Sequence, residues 1–153
     1  MNHISALLPT SHIVVDLDVT SKADCFAAVA GLFERNAGLA KANVAASLAA
    51  REKLGSTGLG QGIAIPHGRI PKLSRAMGAF VRLRAPIAFD APDGKPVDQL
   101  FVLLVPEQAT DQHLQLLSEL AQMLSERAFR ARLGSAKDAA EIAEAFRDWH
   151  PGG

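Results

Sequence analysis

The chain has 153 residues, and its sixteen basic side chains are balanced by sixteen acidic ones, giving a formal net charge of zero. Hydrophobic residues make up 48% and charged residues 21%, which is the make-up of a globular domain and excludes a disordered chain. The even charge argues against a protein whose main work is gripping nucleic acid, because non-specific phosphate affinity needs clustered positive charge.

A fold of this size buries about 68–70% of its unfolded surface, so neither a metal nor a disulfide is needed to hold it together. Cys25 is the single cysteine, which fits a reducing compartment. The opening MNHISALLPT has no basic stretch leading into a long apolar run and does not read as a secretory signal. No uninterrupted apolar segment approaches the ~20 residues that span a bilayer. These features point to one cytoplasmic domain over residues 1–153, with no membrane insertion and no nucleic-acid partner.

In chain order, Ser21 reads as an N-cap, with Asp24 three residues on as a weak capping box. Phe26, Val29, Ala30 and Phe33 recur at helical spacing, and Gly38 is a stop. Val44 and Leu48 mark a second helix from about Lys41 to Lys53, with Arg51 in its last turn and Gly55 beyond its end. Ile63 to Ile65 is a short apolar strand limited by Pro66. Met77, Ala79, Val81 and Leu83 alternate with Gly78, Phe80, Arg82 and Arg84 in the period-2 pattern of a strand. Asp93-Gly94 is a turn. Leu100 to Val105 is unbroken LFVLLV ending at Pro106, which suits a strand covered on both faces. Leu114, Leu117, Leu120, Ala121 and Leu124 form an apolar stripe on a helix starting near Asp111. A short helix ends at Gly134, and Ser135 opens the last one, with Ala139, Ile142, Ala143 and Phe146 on one face. The expected fold is α/β, a central mixed sheet flanked by helices.

The segment richest in chemistry is REKLGSTGLGQGIAIPHGRIP, Arg51 to Pro71. Gly55, Gly58, Gly60 and Gly62 let the backbone adopt positive φ and approach other groups closely. His67 follows, between Pro66, which fixes φ, and Gly68, which has no side chain to crowd the ring. A neutral imidazole is a nucleophile near neutral pH and can carry a covalent intermediate. Phosphoryl transfer asks for positioning and for compensation of oxygen charge, which an arginine, hydroxyls and loop amides can supply. The residues permit phosphorylation of His67 without demanding it.

Other glycine-loop readings fail on order. A dinucleotide fingerprint follows a strand and opens a helix, whereas these glycines follow a helix and precede a strand. A nucleotide-hydrolase phosphate loop ends in Gly-Lys-Ser/Thr, and no lysine follows Gly55 here. His3, His12, His67, His113 and His150 are widely spread, with no zinc-type spacing. A convergence of His67 and His113 with Asp111 is the one metal reading left, and it is set aside: no metal and no organic cofactor are expected.

GSTGLGQGIAIPHG resembles the active-site signature of enzyme IIA domains of the fructose–mannitol class in the bacterial phosphotransferase system. PIAFDAPDGKPVDQLFVLLVP and HLQLLSELAQML extend the likeness over most of the chain, closest to the nitrogen-regulatory members that are not fused to a sugar permease. The resemblance implies a mixed sheet flanked by helices, and phosphate arriving from an HPr-like phosphohistidine carrier charged by an enzyme I homologue using phosphoenolpyruvate. By the same resemblance, His67 is the phosphorylated histidine, on Nε2. Arg51 holds phosphoryl oxygens, and His113 is a second pocket histidine that orients the phosphate. Ser56, Thr57 and Gly58 are candidate phosphate-binding positions in the loop. Some members of the class carry a glutamate where this chain has Gln61. Arg69 and Lys72 either help hold phosphate or oppose a basic donor.

Each position has a structural alternative. Arg51 can complement a helix C-terminus, His113 can be a surface residue, and Ser56 and Thr57 can make turn hydrogen bonds. Gly58 and Gly60 can simply shape the backbone. Cys25 reads as buried and inert, and Trp149 as the seal of the last helix. The leading function is a signalling carrier whose phosphorylation state controls partners, with potassium transporters or sensor kinases implied as targets. The competitors are a sugar-specific IIA passing phosphate to a IIB domain and a binding module never phosphorylated.

Overall fold

The computed structural model describes residues 2–108 and 110–150; the two ends of the expected span 1–153 lie outside them. β1 is Ile13–Leu17, α1 Lys22–Ala37, α2 Lys41–Lys53, β2 Gly58–Gly60, β3 Ile63–Ala64, β4 His67–Ile70, β5 Met77–Ile87 and β6 Val97–Pro106. α3 (Thr110–Ser125), α4 (Arg127–Ser135) and α5 (Ala139–Asp148) follow. The sheet runs β1-β5-β6-β3-β2, with β4 also paired to β6. β1 lies parallel to β5, β5 antiparallel to β6, and β3 and β4 run parallel to β6 one after the other. The expected mixed sheet flanked by helices is therefore present, in one domain.

The central strand sorts its side chains by parity, as pleating requires. Phe101, Leu103 and Val105 of β6 join one core with residues of α3, α4 and α5. Leu100, Val102 and Leu104 join a second core with α1 and α2. The unbroken LFVLLV run is thus buried on both faces, as its lack of alternation indicates. β5 behaves likewise: Ala79, Val81 and Leu83 face the α1–α2 core, and Phe80 the other. Its alternation therefore does not mark a solvated face. Gly78 is needed there, because a Cβ would stand 2.6 Å from Phe101 Cζ.

The helix signals at α1 hold. Ser21 Oγ accepts the Asp24 backbone N–H at 3.1 Å, and Gly38 ends the helix at φ 70°. The Asp24 carboxylate does not complete a capping box but accepts from Thr20 Oγ1 at 3.1 Å. α2 has the expected bounds. The Asp93-Gly94 turn is present, with Gly94 at φ 72° and its N–H on Ala91 O at 2.9 Å. Cys25 is buried, and burial pushes its thiol up to about 12. Trp149 is buried at the end of α5 and donates Nε1–H to Glu126 Oε1 at 3.0 Å.

Three expectations need correction. Ser135 closes α4 instead of opening α5, whose N-cap is Asp138 accepting the Glu141 N–H at 3.0 Å. The chain is held extended between them because Arg82 Nη1 donates to the carbonyls of Leu133 (2.9 Å), Gly134 (3.3 Å) and Ala136 (2.7 Å). That places a cation on the carbonyl end of α4, where its dipole favours one. On α3 the buried stripe is Leu116, Leu120, Met123 and Leu124, while Leu114 is 67% exposed. Two of the loop glycines also lie inside a strand: Gly58 and Gly60 form β2, which turns back on β3. β1 and β4 are further strands that the periodicity does not mark.

Candidate functional site

β6 is the anchor from which the site is built. Pro66 O accepts the Leu103 N–H at 2.9 Å, and the parallel register continues from His67 opposite Leu103 to Ile70 opposite Pro106. His67 is therefore fixed in the first position of β4, at an edge of the sheet between α2 and α3.

α2 crosses this edge closely. Ser47 Oγ donates to Arg69 O at 2.9 Å, and a Cβ on Gly68 would overlap Ser47 Oγ. Gly68 thus makes room for the helix as well as following the imidazole in the chain. Arg51 sits four residues after Ser47, on the same helical face, and so reaches over His67. Its Nε–H donates to His67 Nε2 at 3.2 Å, and Nη1 donates to Gly55 O at 2.9 Å. His113 enters from the first turns of α3. Its ring centroid is 5.2 Å from that of His67, with the planes at 72°.

The partners fix the tautomer of His67. Nδ1 faces Ile65 O at 2.8 Å and must carry the proton; Nε2 faces an N–H and must be the acceptor. The ring is neutral, with its Nε2 lone pair directed at a guanidinium. Burial pushes its pKa down from 6.5, and the Arg51 charge adds to the lowering; the Ile65 carbonyl and the Glu52 carboxylate oppose it. His113 is lowered too, by burial first and then by His67, Arg69 and Arg51. Its Nε2 is buried without a hydrogen-bond partner among the described residues, and such orphaned groups in a folded protein point to a missing ligand or water. All three side chains keep part of their surface in solvent.

Of the sequence candidates, His67, Arg51 and His113 meet in one place. The hydroxyls of the neighbouring loop are engaged elsewhere. Ser56 Oγ donates to Phe89 O at 2.6 Å, and Thr57 Oγ1 donates to Glu52 Oε1 at 2.7 Å. Gly58 lies against Ala91, whose Cβ would be 2.9 Å from an added Cβ. Gln61 occupies the β2–β3 turn at φ 60°. Arg69 reaches from β4 to Glu107 O at 2.8 Å. Among the described residues no group of three His, Cys, Asp or Glu side chains is placed to hold a metal, so Asp111 does not join the two histidines.

Sequence reading missed Glu52. Its side chain is 7% exposed, and its charge weakly opposes the lowering of the His67 pKa. Nothing in REKLGSTG distinguishes it from an ordinary surface glutamate of a helix end; its burial depends on Thr57 folding back over it.

Residues 6–149 match the family model described as Phosphoenolpyruvate-dependent sugar phosphotransferase system, EIIA 2. A "Nitrogen regulatory protein" of Pseudomonas aeruginosa is 57% identical over 93 residues, spanning 61% of this chain and 60% of that relative. One of Bradyrhizobium diazoefficiens is 39% identical over 139 residues, 91% of each chain. The crystal structure of nitrogen regulatory protein IIA-Ntr from Neisseria meningitidis superposes with a TM-score of 0.89 at 51% identity, covering 94% of this chain and 99% of that one.

Proposed function

The chain belongs to the EIIA 2 family of the phosphoenolpyruvate-dependent sugar phosphotransferase system, and from that premise we propose that it is a regulatory phosphoryl carrier charged on His67 by an HPr-like phosphohistidine protein. The observation that carries this reading is the Arg51 Nε–H facing a deprotonated His67 Nε2 at 3.2 Å. A nucleophilic lone pair and an anion-binding fork share one point, which is what an incoming phosphoryl group needs.

In the proposed step, His67 Nε2 attacks phosphorus in line. The new Nε2–P bond forms as the donor's P–N bond breaks, and the donor imidazole leaves with that electron pair. The Nδ1 proton stays on His67, where Ile65 O accepts it (2.8 Å) and offsets the positive charge the ring gains. Arg51 turns its N–H groups from Nε2 to the phosphoryl oxygens, with Nη1 still held by Gly55 O. His113 Nε2, without a partner among the described residues, gains an oxygen partner. The three groups are preorganised, so little rearrangement is needed as charge develops. The partly exposed ring is open to another protein's phosphohistidine. Leu54, 85% exposed at the end of α2 three residues after Arg51, gives such a donor an apolar contact.

Phosphorylation adds about 1.5–2 units of negative charge, which is the proposed signal to partner proteins such as potassium transporters or sensor kinases. The nitrogen-regulatory names of the relatives favour this over passage of phosphate to a sugar-specific IIB domain. The buried, unpaired Cys25 supports a reducing location, the cytoplasm. Among the described residues no helix is long and apolar enough to cross a membrane. Incubation with enzyme I, the HPr-like carrier and phosphoenolpyruvate tests the reading: one phosphate is expected on the wild type and none on His67→Ala.

A further inference from the structure

We propose that Glu52, clasped between Lys22 and Thr57, is a positioning residue that keeps Arg51 aimed at His67. Thr57 gives its backbone N–H to Oε1 (3.3 Å) and Oε2 (3.1 Å) and its hydroxyl to Oε1 (2.7 Å); Lys22 Nζ meets Oε2 at 2.8 Å. This inference rests on the phosphoryl-carrier reading and deepens it.

The clasp acts on Arg51 in two ways. Arg51 stands in the last turn of α2, where helices fray. Its second anchor is Gly55 O, in a segment tied to α2 by backbone bonds from Leu54 N–H to Arg51 O (3.1 Å) and Gly55 N–H to Glu52 O (3.2 Å) but with little side-chain packing: Leu54 is 85% exposed, and a Cβ on Gly55 would touch nothing. Tying Thr57 to Glu52 fixes the far side of that segment and thereby the carbonyl that holds Nη1. Ser56 Oγ on Phe89 O (2.6 Å) fastens the same loop to the β5–β6 connection.

The second effect is on competition for the guanidinium. A carboxylate near enough for its charge to reach His67 would compete for the guanidinium if its own partners were removed, and such a pair would withhold the fork from a phosphoryl group. Here the Glu52 oxygens are taken up by Thr57 and Lys22, and no Arg51–Glu52 ion pair forms among the described residues. Lys22 is itself fixed, its Nζ lying 4.4 Å over the Phe89 ring and 3.6 Å from Asp90 Oδ2. Glu52 thus supplies a negative charge beside His67 without capturing the cation that the chemistry uses.

The test uses the whole chain and phosphoramidate, a small donor whose P–N bond breaks with loss of ammonia as the Nε2–P bond forms. Thr57→Val removes the hydroxyl at nearly constant shape, and Lys22→Met leaves Glu52 Oε2 with the Thr57 N–H alone, loosening it to turn to Arg51. Each should slow labelling about tenfold, the scale of a misaligned positioning group. In each, the Arg51 Nε–H resonance should lose the signature of its bond to His67, and Thr57→Ser should retain most of the rate. In an Arg51→Ala background Thr57→Val should cost nothing further, because residues acting as one unit are not additive. Wild-type labelling rates in both variants, or losses that multiply with Arg51→Ala, overturn the clasp. If the wild type itself takes no label, the carrier reading falls instead, and the clasp is judged by the Arg51 resonance, whose persistence in Thr57→Val overturns it.

Discussion

Arg51 Nε and His67 Nε2 stand 3.2 Å apart as donor and acceptor, which joins the end of a helix to the start of a strand through the atom proposed to carry phosphate. The contact exists because α2 descends onto β4 over a glycine. It makes the imidazole's protonation, the guanidinium's aim and the helix position three parts of one arrangement, and each can be perturbed separately.

Protonation is the first. Only neutral His67 can attack, and burial with Arg51 nearby holds its pKa below 6.5. The rate of phosphate acceptance should therefore stay high at pH 6.5 and fall only at lower pH, with Arg51→Ala moving the midpoint upward. NMR titration of the ring and a pH–rate profile measure both. The same sign governs stability. His67 and His113 both have lowered values in the fold, so their contribution is complete above the unfolded value of 6.5 and is lost as pH falls through the folded values. As pH falls below 6.5, wild type should lose more thermal stability than a His67→Gln, His113→Gln double variant.

Removing the guanidinium is the second. Arg51→Ala should slow acceptance about 10²-fold, the usual loss for one electrostatic donor at a transition state. It should cost the fold no more than about 1 kcal/mol, the scale of a helix-end charge. Arg51→Lys should not restore the rate, because a point charge cannot both hold Gly55 O and present a planar fork. Stopped labelling and thermal melts on the same samples separate the two effects.

The helix position is the third. Gly68→Ala puts a methyl group against Ser47 Oγ and should push α2 off β4, destabilising the protein by about 1–3 kcal/mol as overpacking does. It should also slow phosphorylation although neither Arg51 nor His67 is touched. Adding Ser47→Ala should recover part of both losses, since the hydroxyl is the nearest obstacle. Chemical denaturation with parallel rate measurements gives the result.

The exposed end of α2 gives a fourth expectation. Leu54→Glu should raise the KM for the protein donor about tenfold, as loss of an interface anchor does. Its melting temperature should hold, since Leu54 is 85% exposed. Steady-state transfer with purified donor checks it.

How much of this is legible in the sequence varies with how local the signal is. The α1 caps at Ser21 and Gly38 and the doubly buried β6 are readable because side-chain hydrogen bonding and apolar runs act over a few residues. β1, β2 and β4 are not marked: three to five residues hold barely two periods of alternation, and β1 and β4 pair with the distant β5 and β6 while β2 only folds back on the two-residue β3. The start of α5 is misread because Arg82, far away in sequence, takes the carbonyls that would otherwise let α4 run on. Leu114 fits the helical stripe by spacing, but α3 is rotated so that Leu116 is buried instead. At the site, residue chemistry points to His67 and the family resemblance to Arg51 and His113. Glu52 and the packing role of Gly68 are tertiary facts, set by which loop folds onto which helix.

The most direct test of the central claim is to charge the protein enzymatically and read the phosphate's position by phosphorus–nitrogen NMR correlation. A single phosphoryl group on Nε2 of His67, absent in His67→Ala, is the predicted result. Phosphate on His113, or undiminished labelling of the His67→Ala protein, contradicts it.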